Sequence, residues 1–264
     1  MGIELKELQV IAGEKGFDLE TIIKDYYLTL LLYNLSGVKD IYFKGGTALN
    51  KIYFNHVRLS EDLDFTVRGN VKKIEARVRK AIQREKEFTK VTHDKKTTQF
   101  IRLHIHYKSP LGTDCLIVDL NQKATIHLKP EEKEVKHFYA GKIPKFSVQT
   151  LNFEEMIAEK VSAAVIRNAP RDYYDLYNTI TKKIPINMNL VKQKLEEHGQ
   201  KFDVNKLFRQ GSKVFTRWKT DLLPLTSTKP DYKTVINAIS KHFKYKQKKG
   251  KKNKTLQGKK KKNP

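Results

Sequence analysis

Asp62 and Asp64 lie two residues apart in Leu59-Ser60-Glu61-Asp62-Leu63-Asp64-Phe65-Thr66-Val67-Arg68, where apolar and polar side chains alternate. On a strand, Leu63, Phe65 and Val67 point one way and Asp62, Asp64, Thr66 and Arg68 the other. Two carboxylates side by side on a half-buried face repel unless a cation lies between them. A hard divalent ion such as Mg²⁺ is the usual solution. Many such pairs are merely solvated, so their neighbours decide.

Upstream, Phe43-Lys44-Gly45-Gly46-Thr47 closes the short apolar strand Ile41-Tyr42-Phe43 and opens a helix from Thr47 to Phe54. Glycines there let backbone amides approach a ligand, and a helix N-terminus attracts phosphate. The turn is neither a Walker loop nor a dinucleotide fingerprint, because Gly-Lys-Ser/Thr and G-x-G-x-x-G are both absent. A phosphate cradle one helix away from a carboxylate pair is what phosphoryl transfer needs. Asp119, in Cys115-Leu116-Ile117-Val118-Asp119-Leu120, is a third acid, and an Asp among apolar strand residues is costly unless paired or metal-bound. If its strand lies beside the first, three acids could hold two Mg²⁺ and activate a hydroxyl. Otherwise it only ends a strand.

A second constellation runs Glu159-Lys160-Val161-Ser162-Ala163-Ala164-Val165-Ile166-Arg167, then Pro170-Arg171-Asp172-Tyr173-Tyr174-Asp175. Lys160 and Arg167 share a helix face with the small Ala163 and Ala164, which leave room for a ligand. Pro170 marks the break before the next helix, where Arg171 and Asp175 are an i, i+4 pair and Asp172 and Asp175 are i, i+3 neighbours. Cations here, facing the acids of the first part, would bind a triphosphate across a cleft. The competing reading is an interhelical salt-bridge network, with Asp175 the first candidate for a purely structural acid. His104 and His106 lack an obvious third ligand and read as an exposed polar strand face. Cys115 reads as a small core residue, and Trp218 as part of a helical core.

The elements that must hold these residues follow from periodicity. Asp18 to Leu35 reads as a helix with Asp18 as N-cap, Leu59 to Arg68 as a strand, and Val71 to Glu87 as a basic helix. Two strands follow, through Ile101–Tyr107 and Asp114–Leu120, and then an irregular stretch from Asn121 to Thr150. Helices are expected near 151–167, 171–181, 190–198, 203–218 and 231–243. Strands first and helices second give an α+β organisation, a mixed sheet with flanking helices over 1–150 and a helical domain over 151–245. Residues 246–264 form a low-complexity Lys-rich tail expected to be disordered.

Composition narrows the partners. The 264 residues carry 53 Lys+Arg against 29 Asp+Glu, a net charge of +24. Residues 241–264 hold 12 Lys and no acid, so half the excess sits at the C-terminus. The remainder is still basic, which points to a polyanion, most simply RNA or DNA. One cysteine excludes an internal disulfide and a multi-cysteine zinc site. The longest near-apolar run, Tyr26 to Tyr33, is too short to span a bilayer, and the N-terminus lacks a secretory pattern, so no membrane role and a cytoplasmic location are expected.

The ordered set Gly-Gly-Thr, Arg58-Leu59-Ser60-Glu61-Asp62-Leu63-Asp64-Phe65, Lys-x₆-Arg and Arg-Asp-x-x-Asp-Leu resembles the AbiEii/AbiGii-type toxin nucleotidyltransferases of the polymerase-β-like superfamily, over roughly residues 18 to 180. The resemblance implies a nucleotidyltransferase-like N-terminal domain and a helical domain that completes the site. It implies Gly46 and Thr47 on phosphate, Asp62 and Asp64 on metal, and Lys160 and Asp172 beside them. The full expected set adds Lys44, Gly45, Arg58, Ser60, Arg167 and Arg171 as nucleotide contacts and Asp119 as a metal-binding or catalytic acid. It further implies Mg²⁺ or Mn²⁺ as cofactor, an NTP as donor, RNA (in particular the 3′ end of tRNA) as acceptor, and a cognate antitoxin. The alternatives are a catalytically silent nucleic-acid-binding protein with this fold, and NTP-dependent modification of a protein or small molecule.

Overall fold

The computed structural model describes residues 2–245; the expected tail at 246–264 lies outside them. Two helices open the chain, α1 (Leu5–Lys15) and α2 (Leu19–Leu35), followed by β1 (Ile41–Lys44) and a single helical turn, α3 (Gly45–Ala48). That turn widens into a π-helix over Leu49–Tyr53, a form that recurs at functional sites. Next come β2 (Asp62–Val67), α4 (Val71–Ile82), β3 (Phe88–Lys96), β4 (Phe100–Ser109), β5 (Gly112–Asn121), β6 (Glu131–Glu134) and β7 (Ser147–Thr150). The helical half holds α5 (Phe153–Arg167), α6 (Pro170–Thr181), α7 (Met188–Glu196), α8 (Val204–Phe208), α9 (Gly211–Asp221) and α10 (Tyr232–His242). This is the expected mixed α+β architecture followed by helices.

The seven strands form one mixed sheet in the order β3-β4-β5-β2-β1-β7-β6. β2 runs parallel to β5, and β1 parallel to β7; the other neighbours are antiparallel. β2 alternates as its sequence requires. Leu63, Phe65 and Val67 are buried in a core shared with α2 and α4, while Asp62 and Asp64 are only half-buried. α2 is buried almost all round, and this explains its near-continuous apolar sequence. A second core, including Ala164, Leu176, Leu195, Trp218 and Ile239, unites the later helices. The two cores divide along α5, which therefore has one end against the sheet and the other among helices.

Several boundaries differ from the sequence reading. Asp18 precedes α2 in an extended conformation, but its side chain makes no capping bond. The second strand starts at Asp62 rather than Leu59, because the Leu59 amide donates to the Leu225 carbonyl. α4 ends at Ile82, not Glu87, and the stretch expected as one helix over 203–218 breaks at Gln210 into α8 and α9. The stretch from Asn121 to Thr150 is not wholly irregular, for it contains β6 and β7. Cys115 is half-buried on the open sheet face rather than in the core, because Leu116, Val118 and Leu120 take the inward positions of β5.

Candidate active site

Register across the sheet builds the site. Lys44 on β1, Asp64 on β2, Asp119 on β5 and Arg102 on β4 are successive partners, so one row of charges crosses four strands. At one end Arg102 closes on Asp119 with two hydrogen bonds, Nε to Oδ1 at 2.8 Å and Nη2 to Oδ2 at 2.7 Å. At the other, the Lys44 ammonium turns to Glu159 on α5, 3.1 Å from Oε2. Among the described residues Asp64, between them, has no such partner. Burial and the adjacent Asp62 push its carboxyl up to about 7, against the opposing pull of Lys44. Crowding of this kind is what a divalent cation relieves, so Asp62 and Asp64 suit Mg²⁺ or Mn²⁺ as a pair. The expected set of three differs. Asp119 does lie beside Asp64, but both its oxygens are held by Arg102. Among the described residues no group of three or more His, Cys, Asp or Glu is placed to hold a metal ion.

The double glycine has a use that its sequence did not disclose. Gly45 adopts φ +78°, and a Cβ there would run into the Asp64 carboxylate; at Gly46 it would run into the Arg58 guanidinium. The pair therefore admits two side chains against the backbone. Thr47 donates its hydroxyl to the Asp62 carbonyl at 2.5 Å, and Ser60 lies 3.2 Å from Asp62 Oδ1, so both brace the carboxylate strand. Gly45→Ala should impose about 1–2 kcal/mol of backbone strain and displace Asp64. Urea unfolding should show a lowered midpoint, whereas Gly141→Ala, which meets nothing within 4 Å, should leave it unchanged.

Across from the acids stands a buried ionic network from α5 and α6. Lys160 bridges Asp172 Oδ1 and Asp175 Oδ2, both at 3.0 Å. Arg167 adds two bonds to Asp172, at 2.6 and 2.8 Å, while its side chain stays exposed. Burial opposes ionisation of Asp172, yet Lys160 and Arg167 hold its carboxyl below the usual carboxylate range. Burial likewise disfavours the charged form of Lys160, and the two acids raise its affinity for the proton instead. Arg58 is almost wholly buried with both forks on Asp175, at 2.8 and 2.7 Å. Its guanidinium serves this network rather than an open nucleotide contact. Arg171 reaches Glu61 at 3.3 Å, and the expected helical pair with Asp175 does not form, because Asp175 is taken by Arg58 and Lys160.

Between the two groups lies a cavity of about 300 Å³. Of the expected residues, Lys44, Gly45, Asp64, Lys160 and Arg167 line it, while Gly46, Thr47, Arg58, Ser60, Asp62, Asp119, Arg171 and Asp172 do not form part of its wall. Sequence reasoning missed the rest of its wall, including Asn121 at the end of β5, Lys123 just after it, and Lys194, Glu197 and His198 at the end of α7. Lys194 is buried and tied to Glu155 at 2.6 Å and Glu159 at 3.1 Å. One signal was available, since Lys194 falls on the apolar stripe Leu190-Val191-Leu195, where a cation needs a buried partner. Cations outnumber acids around the cavity, so it suits a polyanionic ligand.

Over residues 31–248 the chain matches the family described as "Nucleotidyl transferase AbiEii toxin, Type IV TA system". No curated protein matches it. Among solved structures it is similar to JHP933 from Helicobacter pylori, with 17% identity, a TM-score of 0.58, and coverage of 84% of this chain and 90% of that one. It is also similar to MenT4, a nucleotidyltransferase toxin from Mycobacterium tuberculosis H37Rv, with 18% identity, a TM-score of 0.61, and coverage of 90% and 99% respectively. At such identities the likeness is one of fold.

Proposed function

The chain belongs to the AbiEii nucleotidyl transferase toxin family, and we propose that it moves a nucleotide from an NTP onto RNA, with the 3′ end of tRNA as the favoured acceptor. One observation carries this reading. Asp64, on the strand that also bears Asp62, faces across a cavity of about 300 Å³ the cations Lys160 and Arg167, both held by the buried Asp172. Arg167, exposed and pre-oriented by Asp172, grips the triphosphate, with Lys160, Lys44 and Lys123 adding positive charge around it. Asp62 and Asp64 would hold Mg²⁺ or Mn²⁺, which when bound would supply positive charge against that of the phosphates. The acceptor hydroxyl bonds to the α-phosphorus and gives its proton to solvent, the bond from that phosphorus to the oxygen it shares with the β-phosphorus breaks, and pyrophosphate departs. Asp119 positions Asp64 through the strand pairing and keeps its own charge balanced by Arg102. A cognate antitoxin would act by covering this cavity.

Incubation with total RNA and each NTP, labelled in turn at the α- or γ-phosphate, tests the reaction. Label should reach RNA from the α position only, and excess EDTA should abolish it. Transfer of γ-label, or label on protein alone, would replace this reading with one of the other NTP-dependent chemistries. No transfer at all, with RNA binding intact, would leave a silent nucleic-acid-binding protein.

A further inference from the structure

A second cavity, of about 530 Å³, lies away from the carboxylates, between the C-terminal end of α2 and α4. Lys39, Arg77, Lys80 and Arg84 line it together with Asn34, whose buried Nδ2 has no hydrogen-bond partner among the described residues. Two of these cations continue a row along α4, where Lys73, Arg77 and Lys80, at spacings of four and three, share one exposed helix face, and the exposed Arg84 follows in the turn just past its end. Like charges at these spacings repel and weaken a helix left to itself. Acids do little to offset them. Among the described residues Arg77 alone of this row is ion-paired, to Asp40 at 3.2 Å. Glu75, on the opposite side of α4, is already answered by Arg79, His93 and Lys96.

We propose that this groove and its cationic row grip the phosphodiester backbone of the acceptor RNA, holding the body of the molecule apart from the end that reacts. The inference rests on the RNA-acceptor reading above. Charge complementarity selects the occupant. A linear array of cations beside a concave wall matches repeated anionic oxygens, and phosphate contacts position a nucleic acid without reading its sequence. The groove is thus separate from the cavity that takes the triphosphate, and the two should fail independently.

The test uses the full chain carrying Arg77→Gln, Lys80→Gln and Arg84→Gln together, with fluorescently labelled total tRNA titrated across a salt series. Affinity at 0.1 M salt should fall at least about tenfold, and the slope of log K against log salt should shrink by about two units. The variant should unfold at or slightly above the wild-type temperature, and NTP affinity should not change. A control with Lys192→Gln, Lys213→Gln and Lys219→Gln removes the same charge elsewhere and should reduce the slope by less than about half a unit. A triple variant that matches wild type, or matches the control, overturns the proposal. So does retained tRNA binding with selective loss of binding to poly-glutamate, which would assign the groove to an acidic polypeptide. Failure of the transfer reading shows differently, as absence of α-label on RNA while the slope still responds to the α4 variant.

Discussion

Asp64→Asn should reduce nucleotide transfer by about a thousandfold or more, equivalent to roughly 4 kcal/mol of transition-state stabilisation, in a protein that remains folded. Asn keeps the shape that fits against Gly45 but removes the charge that a divalent ion requires. The fold itself has no need of that charge. Burial and Asp62 raise the Asp64 carboxyl to about 7, so the folded state disfavours its ionised form. An acid whose folded value lies above its unfolded one costs stability as pH rises through that range. The Asn variant should therefore melt at the same temperature as wild type or higher at pH 8. Asp119→Asn provides the contrast, since that acid is already neutralised by Arg102; transfer should fall by only about tenfold. Initial rates with labelled NTP, measured beside thermal unfolding, decide both. Wild-type turnover by folded Asp64→Asn would remove the metal from the mechanism.

Asp175→Asn should have the largest effect on stability, about 3–5 kcal/mol, because it removes the charge partner of buried Arg58 and one of the two partners of buried Lys160. Arg58 loses its charge partner and one of its two bonds, the Asn oxygen still accepting the other, and Lys160 keeps only Asp172. Burial works against ionised Asp175, while Arg58 and Lys160 hold its carboxyl below the ordinary range. A double change, Arg58→Met with Asp175→Leu, should recover part of the loss, since removing both partners leaves no orphaned charge. Urea unfolding of the two variants measures the difference. Equal midpoints for Asp175→Asn and wild type would show that Arg58 finds another partner.

The sequence made the carboxylate strand readable because period-two alternation is local and needs only one strand to be seen. The α5–α6 motif was readable for a similar reason, as its spacing fixes which side chains share a face. What could not be read is where each face lands. Lys44 and Arg102 meet Asp64 and Asp119 through strand register, and Arg58 meets Asp175 across 117 residues. No local period records such pairings.

The missed strands have their own causes. β6 is Glu-Glu-Lys-Glu, an edge strand whose charges discourage further pairing and carry no apolar signature. β3 is the opposite edge and is largely polar, so it resembled a connection. Cys115 was misplaced by a single position of the alternation, and one position is enough to move a side chain to the other face. The glycines were recognised as permitting close approach, but what approaches them is Asp64 and Arg58, which only the tertiary structure brings near.

The central claim is that the acid pair and the cation pair flank an NTP whose nucleotide passes to an RNA 3′ end. Its most direct test is incubation of the full chain with α-labelled NTP and two preparations of the same tRNA, one intact and one with its terminal diol oxidised by periodate. The account predicts label on the intact tRNA and none on the oxidised one. Equal labelling of both, or label recovered on protein with either, would contradict it.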